Sequence, residues 1–389
     1  MAYLDANATQ PVRPEAREAA LTAMSVLGNP SSVHAAGRSA RGVLEAARRR
    51  LAARFGAPAA GIVFTSGGTE ADALAVAALG AGRRLVIGAT EHDAIRAAAP
   101  GAAILPVDAD GVARLDALPG LLAGGPVLLC LMLANNETGT VQPVAEAAAI
   151  CRDHGALLHV DAVQAAGRLP VNLAALGADS MAVSGHKMGG IAGAGALLLA
   201  PGCEIAAALP GGGQERGRRG GTPALPAIAA MAAACLDGPD LLPLRQAIED
   251  LVVRHGAVVL GGPDRLNNTV CAALPGVAAE SQVIALDLSG ICVSAGAACS
   301  SGKVQRSHVL DAMGAGQLSG QAIRISLPWN ASWSDVDAFA EAYGRLGRHR
   351  GTASSSGAGA SSLDPGRAPY AVHAPEPPHL PRQPGDHAV

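Results

Sequence analysis

The sequence predicts an α/β protein: a large domain with a mostly parallel mixed sheet covered by helices, plus a smaller α+β domain. Three observations carry that expectation. Short apolar runs alternate with helix-like stretches through about residue 235, and strands that alternate with helices are joined by crossovers into a parallel sheet. After Asp237-Gly-Pro239 the pattern changes to a helix, a set of short strands and a closing helix. The 389 residues, 49% of them hydrophobic, suffice for two to three domains at roughly 150 residues each. The expected boundaries are 15–237 for the large domain, 1–14 with 238–350 for the small one, and a tail over 351–389.

Strands of the large domain are expected at Ile62–Thr65, Leu85–Ile87, Ala103–Val107, Val127–Leu133, Leu157–Asp161, Ser180–Ser184 and Ala196–Leu199. Between them, Val43, Leu44, Ala47, Leu51 and Phe55 share one face of a helix over Val43–Phe55, and its side with Arg41, Arg48, Arg49 and Arg50 reads as solvated. Another helix starts after Gln142-Pro143 and stops at Gly155, with Pro in the first turn and Gly just past the end. In the small domain a helix over Leu241–His255 precedes strands near Val258–Leu260, Asn268–Ala273 and Ile291–Ser294, then Ala322–Leu327. The closing helix, Ser334–Leu346, opens on a capping-box-like Ser334…Asp337. From Gly351 onward seven Pro, five Gly and five Ser among 39 residues leave too little apolar surface to offset ordering entropy, so the tail reads as disordered.

Charge and composition remove several function classes. With 29 Lys plus Arg against 32 Asp plus Glu, the net charge of −3 does not supply the basic field of a nucleic-acid binder. Three Phe, three Tyr and two Trp do not furnish stacking platforms for single strands. The start, Met-Ala-Tyr-Leu-Asp, has neither the basic nor the apolar region of a signal peptide, and no apolar run reaches the ~20 residues of a membrane span, so a cytoplasmic protein without membrane contact is expected. Seven cysteines at 130, 151, 203, 235, 271, 292 and 299 contain no CxxC, and six of them read as buried thiols. Among the basic residues, 27 are Arg and two are Lys, at 187 and 303.

In an open parallel sheet, ligands gather at the carboxyl ends of the strands, and the polar clusters of this chain sit there. Ile62–Phe64 runs into Thr65-Ser-Gly-Gly-Thr-Glu70 and a helix start, which fits either an ordinary capped turn or a phosphate cradle of free N–H groups. Leu85–Ile87 leads to His92, Val127–Leu133 to Asn135 and Asn136, and Leu157–Val160 to Asp161 with Gln164 one turn on. Taken singly, His92 fits a hydrogen-bonded structural residue, and Asp161 fits a partner of any Arg. Ser180–Val183 ends in Ser184-Gly-His186-Lys187. A chain that uses Arg 27 times and keeps Lys here points to amine chemistry, because a guanidinium stays protonated and forms no Schiff base. Phosphate cradle, Asp, His and Lys on successive strand ends together describe a pyridoxal 5′-phosphate site.

The motifs Tyr3–Thr9, Gly28–Arg38, Phe64–Glu70, Thr90–His92, Asn135–Gly139, Val160–Gln164, Ser184–Lys187, Gly211–Gly217, Ala297–Gly302 and Ile323–Leu327 occur in this order. Over residues 2–346 the chain thereby resembles class-V aminotransferase-fold enzymes, of pyridoxal-phosphate transferase fold type I, and within them the cysteine desulfurases of the NifS/IscS type. The resemblance implies Lys187 as Schiff-base lysine, Asp161 as partner of the pyridinium nitrogen, and His92 stacked on the ring and moving protons. It implies Gly68, Thr69, Ser184 and His186 at the phosphate, Gln164 at the phenolic oxygen, and Asn136 at cofactor or substrate. It further implies Thr222 reaching the phosphate from a neighbouring subunit, hence a homodimer, and Arg324 at the substrate carboxylate, where its fork fits both oxygens.

Cys299, in a run of small residues, takes the distinguishing role: its thiolate attacks the sulfur of L-cysteine, leaving a persulfide and releasing alanine. The resemblance implies a sulfur-acceptor or iron–sulfur scaffold protein as partner. No metal site is expected beyond a transient contact of Cys299 with a nascent iron–sulfur cluster, and Lys303 reads as a solvated loop residue. The alternatives are another class-V pyridoxal-phosphate enzyme, an aminotransferase or selenocysteine lyase, or a catalytically idle scaffold in cluster assembly. The chain departs from the family after Lys187, where Gly189-Gly-Ile-Ala-Gly193 replaces Gly-Pro-Lys/Arg-Gly, at Pro328, and in the tail.

Overall fold

A computed structural model describes residues 1–296 and 306–353, with residues 347–353 described by backbone alone. Cys299, Lys303 and the tail beyond 353 lie outside the described residues. Residues 1–348 form one compact unit. A short strand β1 (Ala2–Tyr3) is followed by seven strands that make the main sheet: β2 (Ile62–Thr65), β3 (Arg84–Gly88), β4 (Ala103–Leu105), β5 (Val127–Cys130), β6 (Leu157–Asp161), β7 (Ser180–Ser184) and β8 (Gly195–Leu199). Their order is β2-β8-β7-β6-β5-β3-β4, and β8 alone runs antiparallel to its neighbours. Every residue of β2, β5, β7 and β8 is buried, as strands covered on both faces must be.

The remaining strands are β9 (Val258–Leu260), β10 (Thr269–Ala273), β11 (Ile291–Cys292), β12 (Ser294–Ala295) and β13 (Ala322–Ser326). An antiparallel sheet of order β12-β13-β10-β9 forms from four of them, while β1 pairs in parallel with β11. This second sheet has its own core, in which Leu4, Ile248, Val252, Phe339 and Tyr343 are fully buried. The larger core lies around the main sheet, where Leu44, Leu51 and Phe55 meet Ala16, Ala20, Ala230 and Met231. The helix Leu225–Ala234, which the sequence reading did not isolate, supplies the last two of these.

Several boundaries differ from expectation for local reasons. The strand expected through Val107 stops at Leu105, because Pro106 has no N–H to donate to a ladder. The run expected through Leu133 stops at Cys130: the Met132 N–H is taken by the Glu91 carboxylate at 2.7 Å instead of by a strand. The helix expected from Val43 starts at Ala35, where the Nδ1 of His34 accepts the Gly37 N–H at 3.2 Å. The last helix, Trp333–Ala353, is capped by Ser332 and not Ser334; the Ser332 N–H and hydroxyl both donate to Asp335 at 2.9 Å.

One reading is overturned outright. Arg48 is not solvated: it is 4% exposed and its Nη1 and Nη2 donate to the two oxygens of Glu215, each at 2.9 Å. The same arginine donates to the Ile62 carbonyl, and Glu215 also accepts the Phe64 N–H at 2.9 Å. Of the six described cysteines four are buried, whereas Cys203 and Cys292 are half-buried.

Candidate active site

The carboxyl ends of β2, β3, β6 and β7 deliver their loops to one edge of the sheet, and a cavity of about 150 Å³ opens among them. Nine residues expected at a cofactor line it: Gly68, Thr69, His92, Asn136, Asp161, Gln164, Ser184, His186 and Lys187. A second cavity of about 170 Å³ shares His92, Asn136, Gln164 and Lys187 with the first and adds Arg324, Asn7, Glu137 and His308. Thr222 is not with them. It is exposed and lines a separate cavity of about 80 Å³ beside Phe64, Ser66 and Glu215. Cys299 lies outside the described residues.

The turn after β2 is shaped for close approach. The helix Gly68–Leu79 starts on Gly68, where a Cβ would stand 2.6 Å from a methyl of Val163. At Gly195 on β8 a Cβ would lie 2.4 Å from the Gly67 backbone, so only glycine lets that strand pass the turn. First-turn N–H groups of a helix have no intrahelical acceptor, so the amides of Gly68 and Thr69 are available to an anion. Glu70 closes the turn, accepting the Ser66 N–H at 2.7 Å and pairing with Arg219 at 2.7 and 3.0 Å; these bonds outweigh its desolvation and hold its carboxyl at about 2.

Lys187 sits in the short helix Gly185–Met188 directly after β7. Its half-buried Nζ donates to the carbonyls of Asn7 at 2.5 Å and Ala8 at 2.9 Å. Desolvation first, then the cations Arg324 and Arg168, lower its pKa to about 7, so a large share of the amine is neutral near neutral pH. Asp161 ends β6 and accepts the Val163 N–H at 2.8 Å; burial, reinforced by Asp72, pushes its carboxyl well up. Behind it His159, on the same face of β6, bonds Asp72 through Nε2 at 3.2 Å and Ser180 through Nδ1 at 2.8 Å. Burial lowers His159 to about 4, so this imidazole is neutral, and raises Asp72 to about 8.

His92 is the N-cap of the helix Asp93–Ala98, with Nδ1 accepting the Ala94 N–H at 3.1 Å. That bond leaves Nε2 as the ring nitrogen free to face the cavity. The Oγ of Ser184 and the Oε1 of Gln164 are shielded from solvent and have no hydrogen-bond partner among the described residues. Such atoms are costly unless a ligand completes them. Gln164 Nε2 donates to the Asn7 carbonyl at 3.0 Å, and His186 Nδ1 lies 3.2 Å from the Thr9 hydroxyl. Arg324, on β13, is 4% exposed, and its Nη2 donates to Asp5 at 2.6 Å while Nη1 donates to the Asn136 carbonyl at 3.2 Å.

Asn7 and Asp72 line these cavities and were not among the expected residues; nor were Asp5, which pairs with Arg324, His159, which bonds Asp72, or Arg168, whose charge helps lower the Lys187 pKa. Asn7 links the two sheets: its Nδ2 donates to the Asn136 carbonyl at 3.1 Å and Thr269 Oγ1 at 3.0 Å, and its N–H to Ser326 Oγ at 3.0 Å. Its motif, Tyr3–Thr9, was visible in sequence, but nothing local indicated that its carbonyl meets Lys187. After Lys187 the segment is backed by Arg13: its Nε donates to the Met188 carbonyl at 2.9 Å, and its side chain fills the space beside Gly189. Among the described residues no group of three or more His, Cys, Asp or Glu is placed to hold a metal ion, and no helix is long and apolar enough to cross a membrane.

Two cavities that share the Lys187 amine, one lined by a helix N-terminus and a buried carboxylate and the other by a buried guanidinium, are suited to a phosphorylated ring cofactor and an amino-acid substrate. Comparison with known proteins identifies the family. Residues 2–236 match the family described as aminotransferase class-V. The chain is 37% identical over 372 residues to an IscS-like cysteine desulfurase of Mycobacterium tuberculosis, covering 88% of this chain and 95% of the relative. It is 41% identical over 362 residues to a cysteine desulfurase of Cereibacter sphaeroides, covering 87% and 94%. Among solved structures, a NifS-like protein from Rickettsia africae superposes with a TM-score of 0.82 at 33% identity, covering 89% of this chain and 99% of that one. The chain therefore belongs to the class-V aminotransferase family, on the branch of the cysteine desulfurases.

Proposed function

We propose that this chain is a pyridoxal 5′-phosphate-dependent cysteine desulfurase, which takes sulfur from L-cysteine, releases L-alanine and retains the sulfur as a persulfide on Cys299. The observation that carries the reading is Lys187: a half-buried amine of lowered proton affinity, common to the cavity with Asp161 and Ser184 and the cavity with Arg324. The residues fit the cofactor. Ser184 Oγ and Gln164 Oε1 await partners, the first-turn amides of Gly68 and Thr69 suit a phosphate, and Asp161 suits a ring nitrogen. When bound, pyridoxal phosphate supplies an electron sink for charge developing at the substrate α-carbon.

The chain's residues then have distinct tasks. Gly68, Thr69, Ser184 and His186 would hold the phosphate, Gln164 the phenolic oxygen and Asp161 the ring nitrogen, and Lys187 would anchor the cofactor through Nζ. His92 would lie against the ring and move protons from Nε2, and Asn136 would contact cofactor or substrate. Arg324 would bind the substrate carboxylate, and Lys187, once the substrate amine has taken its place on the cofactor, would be the free neutral amine that takes the α-proton. Cys299 thiolate attacks the substrate sulfur: a sulfur–sulfur bond forms, the Cβ–sulfur bond breaks, and its electron pair stays on carbon, which takes a proton to become the methyl of alanine. The atoms balance without an external oxidant.

Thr222 lies apart from its own chain's cavity, which supports a homodimer in which it serves the phosphate of a second copy. The separate cores support a large domain over 15–237 and a small one from 1–14 with 238–350. A cytoplasmic sulfur-acceptor or iron–sulfur scaffold protein receives the sulfur. The test is purified protein with L-cysteine, quantifying alanine and sulfide beside Cys299→Ser. Alanine and sulfide are expected from the parent and not from the variant; desulfuration that survives Cys299→Ser overturns the persulfide step.

A further inference from the structure

Residues 5–10 form a strap tied on both sides. Towards the small sheet Asp5 bridges to Ser326, and Asn268 Nδ2 donates to Asn7 Oδ1 at 3.1 Å; towards the main sheet Gln164 and Lys187 donate to the Asn7 carbonyl. One contact in the strap differs from these neutral or single-charge bonds. Asp5 Oδ1 meets Arg324 Nη2 at 2.6 Å, a direct ion pair to the guanidinium that lines the cavity shared with Lys187 and His92. Among the described residues the Asp5 carboxylate has no other hydrogen-bond partner, while Arg324 keeps a solvent-shielded Nε–H with none. A guanidinium 4% exposed requires a counter-charge, and Asp5 supplies it; a substrate carboxylate needs the same guanidinium.

We propose that Asp5 is a built-in competitor for the substrate α-carboxylate at Arg324: it neutralises Arg324 when no substrate is bound and thereby sets how strongly carboxylate-bearing ligands are held. The proposal rests on the reading of Arg324 as the carboxylate ligand. Two carboxylates sharing one cation repel each other, so the resident one weakens the incoming one. Asp5 is not the sole hold on this geometry. Arg324 is also held by the Asn136 carbonyl and by its place on β13 between β10 and β12, and the strap is held by Asn7. Asp5 is thus a specificity-determining residue acting through Arg324.

Asp5→Asn keeps the shape and an acceptor for Nη2 while removing the charge. The ratio of kcat/KM for L-cysteine to that for L-cysteine methyl ester, which lacks the carboxylate, is expected to rise roughly tenfold, the scale of one nearby charge in a partly solvated site. Calorimetric titration of the holoenzyme with L-alanine and with L-alaninamide reads the same split without turnover: only L-alanine binds more tightly. Asp5→Glu, which retains the charge, keeps the ratio of the parent, and Asp5→Ser repeats the charge removal with a second side chain. The proposal is overturned if a folded charge-free variant leaves the ratio unchanged or lowers it. It is equally overturned if both charge-free variants fail to fold, which would make the pair a latch of the fold. Failure of the parent to form alanine from L-cysteine overturns the desulfurase reading instead, and the calorimetric split still decides the role of Asp5.

Discussion

Two buried charged clusters in this molecule are built on opposite terms. Around Arg48 and Glu215, paired charges, a backbone carbonyl and a backbone N–H leave both side chains fully occupied. Around Lys187 and Asp161, polar atoms are buried but incomplete: Ser184 Oγ and Gln164 Oε1 have no partner among the described residues, and desolvation shifts the titrating groups away from their ordinary values. The first cluster fastens the loop Gly211–Gly221 to β2; the second keeps binding capacity in reserve. Charge burial alone therefore does not mark a functional site. Between these two clusters, unfinished hydrogen bonding is what distinguishes the cavity.

The largest test of the contrast is Lys187→Ala, which is expected to abolish alanine formation by about 10³-fold or more, the scale of a lost proton-transfer group, and to remove the visible absorbance of anchored cofactor. If a covalently anchored cofactor remains, Lys187 is not the anchor. In the saturated cluster, Glu215→Gln leaves buried Arg48 with only the half-exposed Glu45 carboxylate as counter-charge and is expected to cost about 3 kcal/mol of stability in urea unfolding, with little effect of added salt. A loss below 1 kcal/mol would mean that the pair is not the fastening it looks to be.

The pH dependence of Lys187 sharpens the comparison further. Its pKa is lowered to about 7, so the neutral amine is present above that pH and is lost as pH falls through it. Capture of pyridoxal phosphate by the cofactor-free chain is expected to be about tenfold slower at pH 6 than at pH 8 and level above pH 8, followed by stopped-flow absorbance. A rate that still climbs towards pH 10 would indicate an ordinary, solvated lysine. The smallest effect is expected at Ser184→Ala. Because its hydroxyl has no partner among the described residues, stability in urea should hold or rise slightly, while cofactor dissociates about tenfold more readily.

Most of the cavity was legible in sequence because each contribution is local: a strand ends, and the next few residues carry the polar group. Strand order need not be known for Lys187, Asp161 and His92 to arrive at the same edge. The long-range partners were not legible. Asp5 meets Arg324 across 319 residues and Arg48 meets Glu215 across 167, and no local pattern encodes such pairs. For Arg48 a signal was nevertheless present. It lies between Leu44 and Leu51 on the stripe that ends at Phe55, so the helix itself turned this arginine inward, and counting charges on the helix hid it. Ends of elements went astray where a side chain replaced a backbone partner, as Glu91 does at Met132 and Asp335 at Ser332.

The strap over residues 5–10 also has a consequence in time. Asp5 leaves the ribosome 319 residues ahead of Arg324, and Asn7 261 ahead of Asn268, so these contacts have nearly the greatest loop-closure separation the chain allows. The main sheet can form while the strap has nothing on the far side to bind, and Asn7 can settle against Lys187 and Ser326 together only once β13 exists. Assembly of the site is thus deferred to the end of folding, and an unfinished chain holds a reactive lysine whose neighbours have not yet arrived.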